Sequence, residues 1–283
     1  MTVRVEALVI PIDSGFHDVR MGAGPRALVR AGIVDDLGAG ATITEYAPVD
    51  ERFRGEVASA LDIQRWLSGR VSSCRERGAF PLVFAGNCSS AVGTFAGLRS
   101  RSRKVPGVCW FDAHGDFNTP ETTESGFLDG MALATLTGRC WTRLTRLIPD
   151  FRPASDASVL MFGTRELDTA ERKALTASRI HWPSSRRDSV SDSERLAALR
   201  KTVGEVYLHI DLDVLDESVA RVNQFACPGG MSVDRVLDLI RDIGASFHIG
   251  AAAITAWDPS FDPDGHVPPI ARSIVKAILK TVS

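Results

Sequence analysis

Two stretches of this sequence place more carboxylates at one spot than a folded chain holds unaided. Residues 108–130 read V-C-W-F-D-A-H-G-D-F-N-T-P-E-T-T-E-S-G-F-L-D-G, an apolar run followed by Asp112, His114 and Asp116 at alternate positions. In an extended chain, alternate side chains share one face, about 7 Å apart. Residues 206–216, V-Y-L-H-I-D-L-D-V-L-D, are a second apolar run, ending in Asp211 and Asp213 at the same spacing. Carboxylates gathered at the end of a buried strand repel one another and lose hydration unless a cation neutralises them. Carboxylate oxygens and an imidazole nitrogen are the donors that hard and borderline divalent metals take. A lone Asp-x-His-x-Asp also fits a solvated strand end followed by a turn. Together, the two stretches supply four aspartates and a histidine, enough for two metal ions sharing bridging carboxylates.

Around these stretches, apolar runs and helical spacings alternate. Strands are expected near residues 5–11, 41–46, 81–85, 108–111, 158–162, 206–210 and 249–255. Helices are expected near 27–33, 53–77, 91–98, 131–136, 169–177, 196–202, 233–243 and 269–282. The strands lack a period of two, the mark of a parallel sheet covered on both faces. In such sheets ligands sit beyond the carboxyl ends of the strands, where both aspartate clusters fall. Residues 183–193 are rich in Ser, Arg and Asp and read as a polar surface loop. Without repeats or linker composition, residues 1–283 read as a single domain.

The apolar share of 44% suffices for a large core and argues against disorder. A formal net charge of −2 without a basic stripe argues against a nucleic-acid or membrane-surface role. No apolar run approaches the roughly 20 residues of a membrane span, and the N-terminus lacks the pattern of a signal peptide. Five cysteines without CxxC spacing fit free thiols in a reducing compartment, so a cytoplasmic location is expected.

D-A-H-G-D-F-N with T-T-E-S-G-F-L-D-G, and H-I-D-L-D-V-L-D, resemble the two main signatures of the ureohydrolase family (arginase, agmatinase, formimidoylglutamase). M-G-A-G-P at residues 21–25 and P-G-G-M at 228–231 are similar to that family as well, so the resemblance covers most of the chain. It implies a three-layer α/β/α, arginase-like fold with a mostly parallel, eight-stranded sheet. It also implies two Mn²⁺ ions activating a bridging hydroxide that attacks a guanidinium or amidine carbon. Carried over residue by residue, Asp112 and Asp211 become the bridging carboxylates, His114 and Asp213 complete one metal site, and Asp116 belongs to the other. Asn118, Thr123 and Ser125 match residues that bind an α-carboxylate, and Asp168 and Glu171 match acids that hold an α-ammonium. A trimer or hexamer is implied too.

Three departures bear on the chemistry. Where the family has G-G-D-H, with the His a metal ligand, this chain has A-G-N-C, which puts Cys88 at the ligand position. A thiolate is softer than imidazole and favours zinc or iron over manganese at that site. Where arginases have a proton-relaying His after S-G-N-L, this chain has Asp129. That residue either relays protons, with a pKa raised by its surroundings, or contacts substrate, or caps the helix starting near Gly130. The family's guanidinium-binding Glu corresponds to Ala256 in A-W-D-P, with Asp258 nearby as a candidate to swing in.

Together these features point to a dinuclear metal-dependent amidinohydrolase that cleaves a C–N bond of an arginine-like small molecule. A modified guanidine fits the departures better than arginine does. Nω-hydroxy-L-arginine is one such compound, and the family includes amidinohydrolases for it. Two alternatives stay open: a non-catalytic metal- or amino-acid-binding protein, and a hydrolase of another linear amidine such as a formimino or agmatine-like compound.

Overall fold

The computed structural model describes residues 3–38, 40–48, 53–102, 104–183 and 190–282. The strands are β1 (Arg4–Ile10), β2 (Ile12–Asp13), β3 (Phe16–His17), β4 (Thr42–Glu45), β5 (Ala79–Ala85), β6 (Gly107–Phe111), β7 (Val159–Phe162), β8 (Glu205–Asp211) and β9 (His248–Thr255). The helices are α1 (Gly24–Arg30), α2 (Glu56–Glu76), α3 (Ser90–Arg101), α4 (Ala132–Leu136), α5 (Thr142–Thr145), α6 (Thr169–Ala177), α7 (Asp192–Arg200), α8 (Val233–Ser246) and α9 (Val267–Val282). Seven strands form one parallel sheet in the order β4-β1-β5-β9-β8-β6-β7.

The central strands are mostly apolar because both of their faces are buried. Val9, Phe84, Phe111 and Ile210 pack on one side with α8 and α9, through Leu239, Ile240, Ile274 and Ile278. Their neighbours Leu8, Val83, Trp110 and Tyr207 pack on the other side with α2 and α3, through Leu67, Val71, Val92 and Phe95. Helix, sheet and helix thus make three layers.

Against the expected eight strands, seven pair in this sheet among the described residues. The eighth place is taken by one residue: His181 bridges β7 in parallel, its N–H donating to Val159 O and its carbonyl accepting from Met161 N. Pro183, two residues on, has no N–H with which to continue that ladder. Residues 184–189 of the expected polar loop lie outside the described residues. The β2–β3 hairpin has no periodic sequence signal. It closes on Ser14 and Gly15 at φ 50° and 86°, the positive dihedrals that favour a tight hairpin turn. No helix among the described residues is long and apolar enough to cross a membrane.

The register sets up the site. Ala85 pairs with Thr255, Thr255 with Asp211, and Ile210 with Phe111. The carboxyl ends of β5, β9, β8 and β6 therefore stop level, and whatever follows each strand meets its neighbours.

Candidate active site

The turn after β5 carries Cys88 into that meeting point. Gly86 has to be glycine, because a Cβ there would lie 2.4 Å from Ile12 O and 2.9 Å from Gly22 Cα. Gly22 belongs to the M-G-A-G-P stretch, which is thereby packed directly against the turn. Asp129 fastens the turn from the opposite side: its carboxylate accepts from Cys88 N at 2.9 Å, Ser89 N at 2.7 Å and Asn87 Nδ2 at 3.1 Å. Its bonds thus reach across to the start of α3, and the helix near Gly130 is not the one it caps.

The clustered aspartates organise one another's loops. Asp112 accepts from His114 N at 2.7 Å and from Trp110 Nε1 at 3.0 Å, and Asp213 accepts from Ala113 N at 3.1 Å. Asp211 accepts from Asp213 N at 2.8 Å and from the Cys88 thiol at 3.0 Å. His114 Nδ1 lies 3.4 Å from Asp112 and 3.2 Å from Asp213. All these carboxylates are buried.

The electrostatics are those of a cation site. Burial, reinforced by Asp213, pushes the Asp112 carboxyl up to about 6. Burial and the neighbouring carboxylates raise Asp116 and Asp211 well above the carboxylate range, and burial raises the Cys88 thiol likewise. Burial opposes charge on His114 and Asp213 as well, but their mutual attraction outweighs it, raising the imidazole and lowering Asp213. Protons can thus hold the cluster together, and a divalent cation taking the same oxygens displaces them.

The residues fit such a cation. Among the described residues, Oδ2 of Asp116 is buried without a hydrogen-bond partner, a costly state for a carboxylate oxygen that a metal relieves. Its backbone is held at φ 49°, a strained conformation for a non-glycine residue. Ligand atoms of Asp112, His114 and Asp213 lie within 4.8 Å of one another, as do those of Cys88, Asp112 and His209.

Above the aspartates opens a cavity of about 250 Å³ whose lining includes Cys88, His114, Asp116, Asp129, Asp211 and Asp213. Asn118, Thr123, Ser125, Asp168 and Glu171 line it too, so these sequence-derived candidates converge. Asp168 and Glu171 also form the capping box that starts α6, with Asn118 Nδ2 donating to Asp168 at 2.8 Å. The cavity does not bring in Asp258. Its Oδ1 accepts from Ser260 N at 2.9 Å and Oγ at 2.7 Å, and it lines an adjoining cavity with Arg20 and Phe261. Ala256 does line the main cavity, its carbonyl accepting from Asn223 Nδ2 at 2.8 Å.

Sequence reasoning missed Phe127, Asn223 and Phe225, which line the mouth from loops without periodicity. The Phe127 and Phe225 rings stack at 5.5 Å, and Phe225 meets His114 edge-on at 6.2 Å. It also missed His209, whose alternation with Asp211 was visible.

Burial raises the Glu171 carboxyl to about 7, against stabilising bonds from Phe117 N and Asp168 N. From the ordinary value of 4.5 up to about 7, the folded state therefore holds a proton that the unfolded chain releases. This contribution to stability is complete below the lower value and is lost as pH rises through that window. Glu171→Gln should flatten the pH dependence of metal-free unfolding between pH 4.5 and 7, by about 1–3 kcal/mol across it. Denaturant titrations at several pH values would measure this, and an unchanged slope would contradict it.

The Arginase family model matches residues 5–280. An arginase from Bacillus caldovelox is 31% identical over 76% of this chain and 78% of its own length. An arginase from Bacillus subtilis is 28% identical over 99% of this chain and 98% of its own. The native Bacillus caldovelox arginase structure superposes with a TM-score of 0.87, at 26% identity over 98% of both chains. The expected arginase-like α/β fold is thus present, and the chain belongs to the Arginase family, whose members are metal-dependent hydrolases of carbon–nitrogen bonds in linear amidines.

Proposed function

We propose that this protein hydrolyses the guanidino group of an arginine-like α-amino acid, with an N-hydroxylated guanidine preferred over arginine itself. Asp112 and Asp211 would be shared between two divalent cations, with His114 and Asp213 completing one site and Cys88 and Asp116 the other. When bound, such a pair makes a water molecule nucleophilic at neutral pH and polarises the carbon it attacks. Asn118, Thr123 and Ser125 offer N–H and O–H donors to the α-carboxylate, and Asp168 and Glu171 face the α-ammonium. Asp129 lies beside the reacting end. Burial lifts its carboxyl to about 7, where a group both takes and returns protons at neutral pH.

The observation that carries the substrate choice is Ala256. A methyl group lines the cavity where family members present a carboxylate, and the nearby Asp258 is engaged by Ser260. A fully charged guanidinium loses an ionic partner there, whereas an N-hydroxyguanidine is a weaker base and needs that partner less. The reading extends to manganese as the metal, a cytoplasmic location and a homo-oligomer. The free thiols of Cys74, Cys88, Cys109, Cys140 and Cys227 suit a reducing compartment.

The test is a panel of L-arginine, Nω-hydroxy-L-arginine, agmatine and a formimino amino acid, scored for urea, hydroxyurea, ammonia and formamide. We expect kcat/KM for the hydroxylated substrate to exceed that for arginine at least about tenfold, equivalent to about 1.4 kcal/mol of differential transition-state binding. Turnover of arginine without turnover of the hydroxylated form would sink the proposal.

A further inference from the structure

Beneath Cys88 lies a buried line of polar groups to which the reaction assigns no part. Thr255 Oγ1, at the end of β9, is 3.3 Å from Cys88 Sγ and 3.5 Å from His209 Nε2. His209 Nδ1 is 3.0 Å from the Tyr207 hydroxyl. The His209 ring stacks on Trp110 at 3.7 Å, which fixes its plane, and Cys88, Tyr207, His209 and Thr255 are all buried. Polar side chains this deep between two strands are costly unless they satisfy one another, and here they run in single file to a sulfur.

We propose that Tyr207, His209 and Thr255 are positioning residues that aim a hydroxyl proton at Cys88 Sγ, making a metal-ligating thiolate tenable at that place. The inference rests on the reading of Cys88 as a ligand. With the imidazole proton on Nε2, Tyr207 O–H donates to His209 Nδ1, His209 Nε2–H donates to Thr255 Oγ1, and Thr255 O–H, which also lies 3.5 Å from Ile210 O, donates to sulfur. The thiol itself donates to Asp211 Oδ2 at 3.0 Å, so the proton it gives up on ligation is not one the line supplies. A neutral imidazole is required, one ring nitrogen accepting and the other donating.

A hydrogen bond into a thiolate lowers the energy of its lone pairs, which moves sulfur-to-metal charge transfer to shorter wavelength. Cobalt(II) is the probe, because its thiolate band lies in the near ultraviolet. The chelator-stripped full chain is titrated with Co²⁺ as wild type, Thr255→Val, Thr255→Ser and His209→Phe, with far-ultraviolet circular dichroism confirming the fold. Thr255→Val keeps the side-chain shape and removes only the hydroxyl. We expect it to move the band to longer wavelength and to weaken Co²⁺ binding about 10–100-fold. Thr255→Ser should keep both properties. His209→Phe retains a ring against Trp110 and should shift the band in the same direction as Thr255→Val. A Thr255→Val protein with the wild-type band and affinity overturns the proposal while leaving Cys88 a ligand. A wild-type complex without a thiolate band overturns both.

Discussion

Divalent cations added to chelator-stripped protein should raise the midpoint of thermal unfolding by roughly 5–10 °C at a hundredfold excess over the dissociation constant. Binding to the folded state alone contributes about 2.7 kcal/mol at that ratio. Each kcal/mol moves the midpoint by about 2–4 °C for a domain of 150–250 residues, and this chain of 283 residues is slightly longer. The physical origin is local. Asp112, Asp116 and Asp211 are buried together, and Asp116 Oδ2 has no partner among the described residues. A cation replaces repulsion with attraction where the folded chain is least comfortable. Calorimetry with Mn²⁺, Co²⁺ and Zn²⁺ would measure the shift, and identical midpoints with and without every metal would refute the cation site.

Asp211→Asn should act in opposite directions on stability and on turnover. Burial first, and then Asp213 and Asp112, raise the Asp211 carboxyl well above its ordinary range. The folded metal-free protein therefore keeps this proton to higher pH than the unfolded chain does, which lowers stability increasingly as pH climbs above the ordinary carboxylate value. Asparagine avoids that cost while keeping an oxygen for Asp213 N. The metal-free variant should gain stability over wild type at pH 7, with a smaller gain at pH 5. It should also lose at least about a thousandfold in kcat/KM, because a shared cation ligand is gone. Urea unfolding and substrate turnover on one preparation would check both. A variant that is active, or less stable at pH 7 than at pH 5 relative to wild type, would contradict the account.

The sequence carried most of this site because its logic is periodic. Alternation of Asp112, His114 and Asp116, and of Asp211 and Asp213, follows from strand geometry, and the strands themselves read as continuous apolar runs. What was not legible depends on chain crossings. Asp258 stands two residues from Ala256, yet the turn through Pro259 directs its carboxylate to Ser260. Phe127 and Phe225 are 98 positions apart in sequence (225 − 127) and meet only where two loops converge. Asp129 read as a proton relay, a substrate contact or a helix cap, and its bonds to the amides of Cys88 and Ser89, supplied by the chain that follows β5, had no sequence signal. The eighth strand expected from resemblance is, among the described residues, one bridge at His181, because pairing depends on a partner edge that local sequence does not encode.

The level stop of β5, β9, β8 and β6 has a kinetic side. Thr255 and Asp211 are paired within the ladder, and Asp112 directly follows Phe111, which is paired in it. Separating these groups means pulling apart central strands, so the amides there should be among the slowest in the molecule to exchange with solvent. An aperture so constructed cannot widen at its base to admit a substrate. Entry and exit are then expected at the loops that carry Phe127 and Phe225, whose stacked rings line the cavity. Residence time of a product should accordingly track the bulk at those two positions, leaving the rigid floor to set what is cleaved and the aromatic rim to set how often.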